Sequence, residues 1–167
     1  VKILTENGAK AMRKPIGTYI TMEMANLVQA EEEYNKAVSV KLAKYVGDIV
    51  KLDKEEYTAL VVGLGNRDVT PDALGPHTVE CLNVTRHIVK EYGKYAMGEE
   101  ACQMVSAIAP GVMAQTGMET YEIIKGIVDT VKPDVVFVID ALAARNTKRL
   151  NRTIQIADTG IHPGSGV

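Results

Sequence analysis

The chain is 167 residues long, 46% apolar and 24% charged, which is enough to bury a core and excludes collagen-like repeats and wholesale disorder. Nineteen basic against 21 acidic residues leave a formal charge of -2, so nothing draws the chain generally to nucleic acid or to an anionic membrane. The longest uncharged stretch, 101–118, is interrupted by Gln103, Ser106, Pro110 and Gln115 and falls short of a membrane span, and Val1-Lys2-Ile3 begins no signal peptide, so the protein reads as soluble and intracellular.

Residues 16–24 alternate larger apolar groups with Thr and Glu, the period-2 pattern of a half-exposed strand. From Glu31 onward Tyr34, Val38, Leu42, Tyr45, Ile49 and Leu52 recur every three or four residues and draw one stripe along a helix, with Glu31-Glu32-Glu33 suited to its first turn. Ala59 to Gly65 is a continuous apolar run ending in glycines, as expected of a strand buried on both faces of a parallel sheet. A helix is predicted over 71–92, stopped by Gly93. The pattern then repeats, with a buried strand over 104–109, a helix over 119–131 with Ile123, Ile124, Ile127, Val128 and Val131 inward, and a strand over 134–140. A polar stretch with Arg145, Lys148 and Arg149 precedes a fourth, edge strand over 153–157.

Strand and helix alternating in this way imply right-handed crossovers and a three-layer α/β domain, a mostly parallel sheet flanked by helices. Residues 1–167 are expected to form that single domain. The opening Val and the glycine-rich end at 162–167 suggest a fragment lacking N-terminal and C-terminal parts of a longer chain. Cys81 and Cys102, with no CxxC and no nearby histidine pair, suggest reduced core residues rather than a zinc knuckle or a disulfide.

In such folds the working groups gather at the carboxyl ends of the strands, here after Leu64, Ala109, Ile139 and Ala157. The loop GLGNRDVTPDALG over 63–75 lacks a dinucleotide fingerprint, because the third glycine of that motif falls at Asp68, and it has neither a Walker lysine nor a nucleophile elbow. It offers Thr70 as N-cap, Pro71 at the first helical position and Asp72 in the first turn. Taken alone, Asp72 reads as a residue complementing the helix dipole, worth roughly 0.3–1 kcal/mol. Asp140 changes that reading, since it ends the apolar run Val135 to Ile139, where burial makes a carboxylate costly. If Asp72 and Asp140 share one cleft, their pKa values separate, and the pair supplies an acid and a base able to direct water at a peptide carbonyl. Two unrelated caps remain the alternative.

His77 and His87 lie on the helix after Asp72 and read as ordinary helix positions. His162, in the glycine-rich loop beyond the fourth strand, is positioned to complete a metal site or to orient a substrate. Gly111, in Pro110 to Gly117, offers exposed backbone N–H groups for an extended peptide or an oxyanion, or else simply makes a turn.

With GLGNRDVTPDALGP over 63–76, IAPGVMAQTG over 108–117, IDALAAR over 139–145 and TIQIADTGIHPGSGV over 153–167, the chain resembles the spore germination proteases. The segments KILTENG over 2–8 and KPIGTY over 14–19 extend the resemblance to nearly the whole chain. The resemblance implies an atypical aspartic endopeptidase of spore-forming Firmicutes that degrades small acid-soluble spore proteins in the spore core. The family's members are tetramers made as zymogens, and they need no cofactor, nucleic acid or membrane. Its two essential aspartates correspond to Asp72 and Asp140, and Gly65, Asn66, Gly111 and His162 become candidates for lining the cleft or touching substrate. A more distant similarity to hydrogenase maturation endopeptidases implies a phosphorylase/hydrolase-like fold and leaves two alternatives. One is a metal-recognising peptidase with Asp72, Asp140 and His162 as ligands, and the other is a noncatalytic peptide- or metal-binding domain.

Overall fold

The structure, a computed structural model, describes residues 1–25, 27–50, 55–98, 100–144 and 146–161. In chain order its regular elements are β1 (Lys2–Ile3), α1 (Glu6–Met12), β2 (Gly17–Glu23), α2 (Glu32–Ile49), β3 (Thr58–Gly63), α3 (Leu74–Glu80) and α4 (Arg86–Tyr92). These are followed by β4 (Met104–Ile108), α5 (Met113–Thr116), α6 (Thr120–Val131), β5 (Val135–Ile139) and β6 (Thr153–Ala157). They divide into two compact units, Val1–Lys51 with Ala143–Gly160 and Leu52–Leu142 with Ile161–Val167. Among the described residues, no helix is long and apolar enough to cross a membrane.

The first unit holds an antiparallel sheet in the order β1-β2-β6, in which Tyr19 faces Ala157 and Glu23 faces Thr153. The segment expected as a fourth strand of the parallel sheet is therefore a strand of a different sheet. Its period-2 pattern is the reason, because alternation suits a strand with one covered face, the usual condition of an antiparallel pair. The stripe predicted on α2 forms with Val38, Leu42, Tyr45 and Ile49 half-buried, while Tyr34 is exposed and accepts a hydrogen bond from the Ala25 N–H at 3.1 Å. Leu52 lies outside the described residues.

The second unit holds a parallel sheet in the order β4-β3-β5. The central strand β3 is buried from Ala59 to Gly63, with Leu60 and Val62 almost inaccessible. Leu60, Val62 and Leu64 share one face, on which Ile124, Ile127 and Val128 of α6 pack. The opposite face of β3 meets α3 at Gly63, where a Cβ would overlap the Gly75 carbonyl and lie 2.8 Å from a Val79 methyl. Helices thus flank both faces. Strand β4 is half-buried throughout, and Val136 and Val138 of β5 are exposed, because an edge strand beside a single crossover helix is covered only in part.

The continuous helix predicted over 71–92 does not form. Residues Thr70–Asp72 make a 3₁₀ turn, α3 ends at Glu80, and α4 starts at Arg86. The break ends at Thr85, which is buried, starts α4 by accepting the Val89 N–H on its carbonyl at 2.9 Å, and turns its N–H and hydroxyl to β4. Its N–H donates to the Val105 carbonyl at 3.0 Å, its hydroxyl donates to the Gln103 carbonyl, and the Val105 N–H donates back to its Oγ1 at 2.9 Å. Asn, Val and Thr are weak helix formers, so little opposes this exchange. Cys81, just past α3, is exposed and Cys102 is half-buried, and both are free thiols, so Cys81 is not a core residue.

Candidate active site

The carboxyl edge of the parallel sheet is built by backbone contacts that glycine permits. Gly63 of β3 pairs with Ile139 of β5, and one step beyond the strand the Leu64 N–H donates to the Ile139 carbonyl at 2.8 Å. Gly75, in the first turn of α3, is pressed onto that junction. A Cβ there would overlap the Leu64 carbonyl and lie 2.5 Å from the Leu64 nitrogen and 2.7 Å from the Ile139 oxygen. The segment carrying Asp72 is therefore laid directly across the ends of β3 and β5, and Asp140 is the first residue after β5.

Asp72 closes the 3₁₀ turn, and its N–H donates to the Val69 carbonyl at 2.8 Å. Its carboxylate does not cap that turn. Oδ2 instead accepts a hydrogen bond from the Asn66 N–H at 2.7 Å, reaching back across the loop. Thr70 is the first residue of the turn rather than its cap, and no side chain caps this turn, contrary to expectation. Gly65, with a φ of +114°, lies beneath the carboxylate, where a Cβ would overlap the Asp72 carbonyl and lie 3.1 Å from its carboxyl carbon. Glycine suits this position both by conformation and by space.

Asp140 is half-buried, and its Oδ1 accepts from the Ala141 N–H at 2.8 Å. Burial is the largest influence on it and raises its pKa above the ordinary aspartate value. The Ala141 hydrogen bond opposes the rise, and repulsion from the Asp72 carboxylate adds to it. The pair expected from the sequence is thus gathered at one sheet edge, with the charge of one carboxylate acting on the other.

Asn66 is fixed at the same edge. Its Oδ1 accepts from the Asp68 N–H at 3.0 Å, and its carbonyl accepts from the Val69 N–H at 3.2 Å, an Asx turn that aims its own N–H at Asp72. Its side-chain NH2 has no hydrogen-bond partner among the described residues. The loop after β4 meets this turn through Gln115, whose Nε2 donates to Asn66 Oδ1 at 3.1 Å. Gly111, at φ +76°, is half-buried beneath the Gln115 amide oxygen. Gln115 carries no local signal in the sequence, because its contact spans 49 residues.

His77 is exposed, with Nδ1 3.2 Å from the Glu80 carboxylate that Arg67 also engages, and His87 is exposed on α4. His162 lies outside the described residues, and among those described no three His, Cys, Asp or Glu side chains gather as a metal site. Cavities of about 410 and 340 Å³ lie in the first unit and touch none of these groups.

A sequence profile described as germination protease matches residues 1–167. The chain belongs to the germination protease family. It is 53% identical over 167 residues to a germination protease of Caldanaerobacter subterraneus subsp. tengcongensis, covering all of this chain and 51% of that protein. It is 49% identical over 167 residues to one from Clostridium tetani, again covering all of this chain and 51% of the relative. It is 53% identical over 166 residues to one from a Geobacillus species, covering 98% of this chain and 44% of the relative. The chain thus spans about half the length of the curated relatives it matches.

Proposed function

We propose that this chain carries the reacting carboxylates of an endopeptidase that hydrolyses small acid-soluble spore proteins by an atypical aspartic mechanism. The observation that carries the proposal is the unequal surroundings of the two aspartates at one sheet edge. Asp140, pushed toward its protonated form by burial, donates its proton as a hydrogen bond to the scissile carbonyl oxygen. Asp72, held in place by the Asn66 N–H, is the base and takes a proton from the attacking water. Hydroxide adds to the polarised carbonyl carbon as Asp140 passes its proton to the carbonyl oxygen. The proton gained by Asp72 then moves to the departing amide nitrogen, the C–N bond breaks, and a hydroxyl of the collapsing tetrahedral intermediate returns its proton to Asp140, so both carboxyls end as they began. The side-chain NH2 of Asn66 and the backbone around Gly65 and Gly111 serve the substrate peptide.

Membership of the family and the motifs at 63–76, 108–117, 139–145 and 153–167 support this reading of the substrate class, the spore-core location and assembly as a homo-oligomer. The test is cleavage of a purified small acid-soluble spore protein by the whole protein. Asp72→Asn and Asp140→Asn are each expected to reduce turnover at least ~10³-fold, within the range general acid–base groups contribute. Turnover within tenfold of the parent in either variant would refute the two-carboxylate mechanism.

A further inference from the structure

We propose that Gln115 is a positioning residue of this active site, a latch from the loop after β4 that sets the Asn66 turn and, through it, the Asp72 carboxylate. The inference rests on the aspartic reading above. Its basis is a chain of hydrogen bonds in which every polarity is fixed by a neighbour. The Val112 N–H donates to Gln115 Oε1 at 3.4 Å, so the other end of that amide is the donor Nε2. The Asp68 N–H donates to Asn66 Oδ1 at 3.0 Å, so that atom is an acceptor, and Nε2 of Gln115 meets it at 3.1 Å. The Asn66 N–H then donates to Asp72 Oδ2 at 2.7 Å.

The geometry around Gln115 is suited to this task. Gln115 lies on the short helix α5, whose entry residue Val112 is buried and whose end is closed by Gly117 in the left-handed conformation, with the Gly117 N–H on the Met113 carbonyl at 2.8 Å. Gly111 leaves room for the Gln115 amide oxygen, 3.1 Å from where a Cβ would stand. The side chain is exposed, so it adds little to the core, and its value lies in where it holds Asn66. An exposed glutamine whose two amide ends join loops 49 residues apart, one bond from a reacting carboxylate, orients that group rather than the fold.

The test uses the whole protein, spore-protein cleavage, and the variants Gln115→Ala, Gln115→Glu, Asn66→Ala and Gln115→Ala/Asn66→Ala, with Asp72→Asn alongside. Gln115→Glu keeps an acceptor for the Val112 N–H but replaces the donor to Asn66 with an oxygen. If Gln115 only secured its own loop, that variant would match the parent. We expect Gln115→Ala and Gln115→Glu both to lower kcat about fivefold, the size of one lost neutral hydrogen bond, with KM within about twofold and the thermal midpoint nearly unchanged. In the Asn66→Ala background, Gln115→Ala should cost nothing further, because its partner is already gone. Parental kcat in Gln115→Glu, or a full additive loss in the double variant, would overturn the inference while leaving the aspartic reading intact. Retained activity in Asp72→Asn would instead defeat that reading itself.

Discussion

Asp72 sits in a loop tied down from several sides, whereas Asp140 stands at a strand end. Around Asp72, the Asn66 turn, the 3₁₀ turn, the Gly65 contact and the Gln115 latch converge, and the carboxylate receives a backbone N–H from six residues before it. Among the described residues Asp140 accepts from the adjacent Ala141 N–H, and its character comes chiefly from burial at the end of an apolar strand. The difference would let one residue type take the two roles proposed above. Loss of water favours a carboxylate's neutral form, so burial alone can set Asp140 apart from an identical side chain at the same edge.

The strongest way to break this comparison is to disturb what joins the two regions. Gly75 touches both strand ends, so Gly75→Ala forces a Cβ into the Leu64 and Ile139 backbones and should cost about 2–3 kcal/mol, read as a fall of several degrees in thermal denaturation. The atoms nearest a Cβ at Gly65 all belong to Asp72. Gly65→Ala should therefore lower kcat for spore-protein cleavage about tenfold, through the displaced carboxylate, and should cost at least as much stability as Gly75→Ala, because the Cβ would overlap the Asp72 backbone carbonyl and φ is +114°. If Gly75→Ala proves neutral, or if Gly65→Ala leaves both kcat and stability unchanged, the described packing of the edge is wrong.

A smaller effect sharpens the Asp140 half. Because folding raises its pKa, its contribution to stability is fully present below the unfolded-state pKa and is lost as pH rises through the folded-state pKa. Asp140→Asn retains an acceptor for the Ala141 N–H but cannot ionise. It should therefore match or slightly exceed the parent's thermal midpoint near neutral pH, by about one or two degrees after allowance for solvent screening of a half-exposed group. That advantage should disappear in acid. A variant less stable than the parent at neutral pH would mean that the Asp140 charge supports the fold.

Much of this edge is legible in the sequence. The unbroken apolar run of β3, the stripe on α6 and the carboxylates just beyond apolar strands are local patterns, and local patterns survive folding when the core demands them. What the sequence hides is pairing. The period-2 pattern at Thr153–Ala157 announces a strand but not its partner, which is β2 rather than the parallel sheet. The apolar side of 71–92 reads as one helix because periodicity carries no record of Thr85 being claimed by β4. The Gln115 latch is invisible for the same reason, since a single glutamine in a loop carries no periodicity. The Thr70 cap predicted from helix-start rules does not form, and the Asp72 carboxylate takes the Asn66 N–H, a partner those rules do not consider.

Asp72 and Asp140 are proposed to form one interacting pair in which Asp140 is the acid. The most direct measurement is a ¹³C NMR titration of the Asp140 side-chain carboxyl in the whole protein, compared between the parent and Asp72→Asn. The account predicts a midpoint above the ordinary aspartate range in the parent. It predicts a partial fall in Asp72→Asn, partial because burial outweighs the repulsion that the substitution removes. An Asp140 that titrates as an ordinary aspartate, or whose elevated midpoint ignores the charge at Asp72, would contradict it.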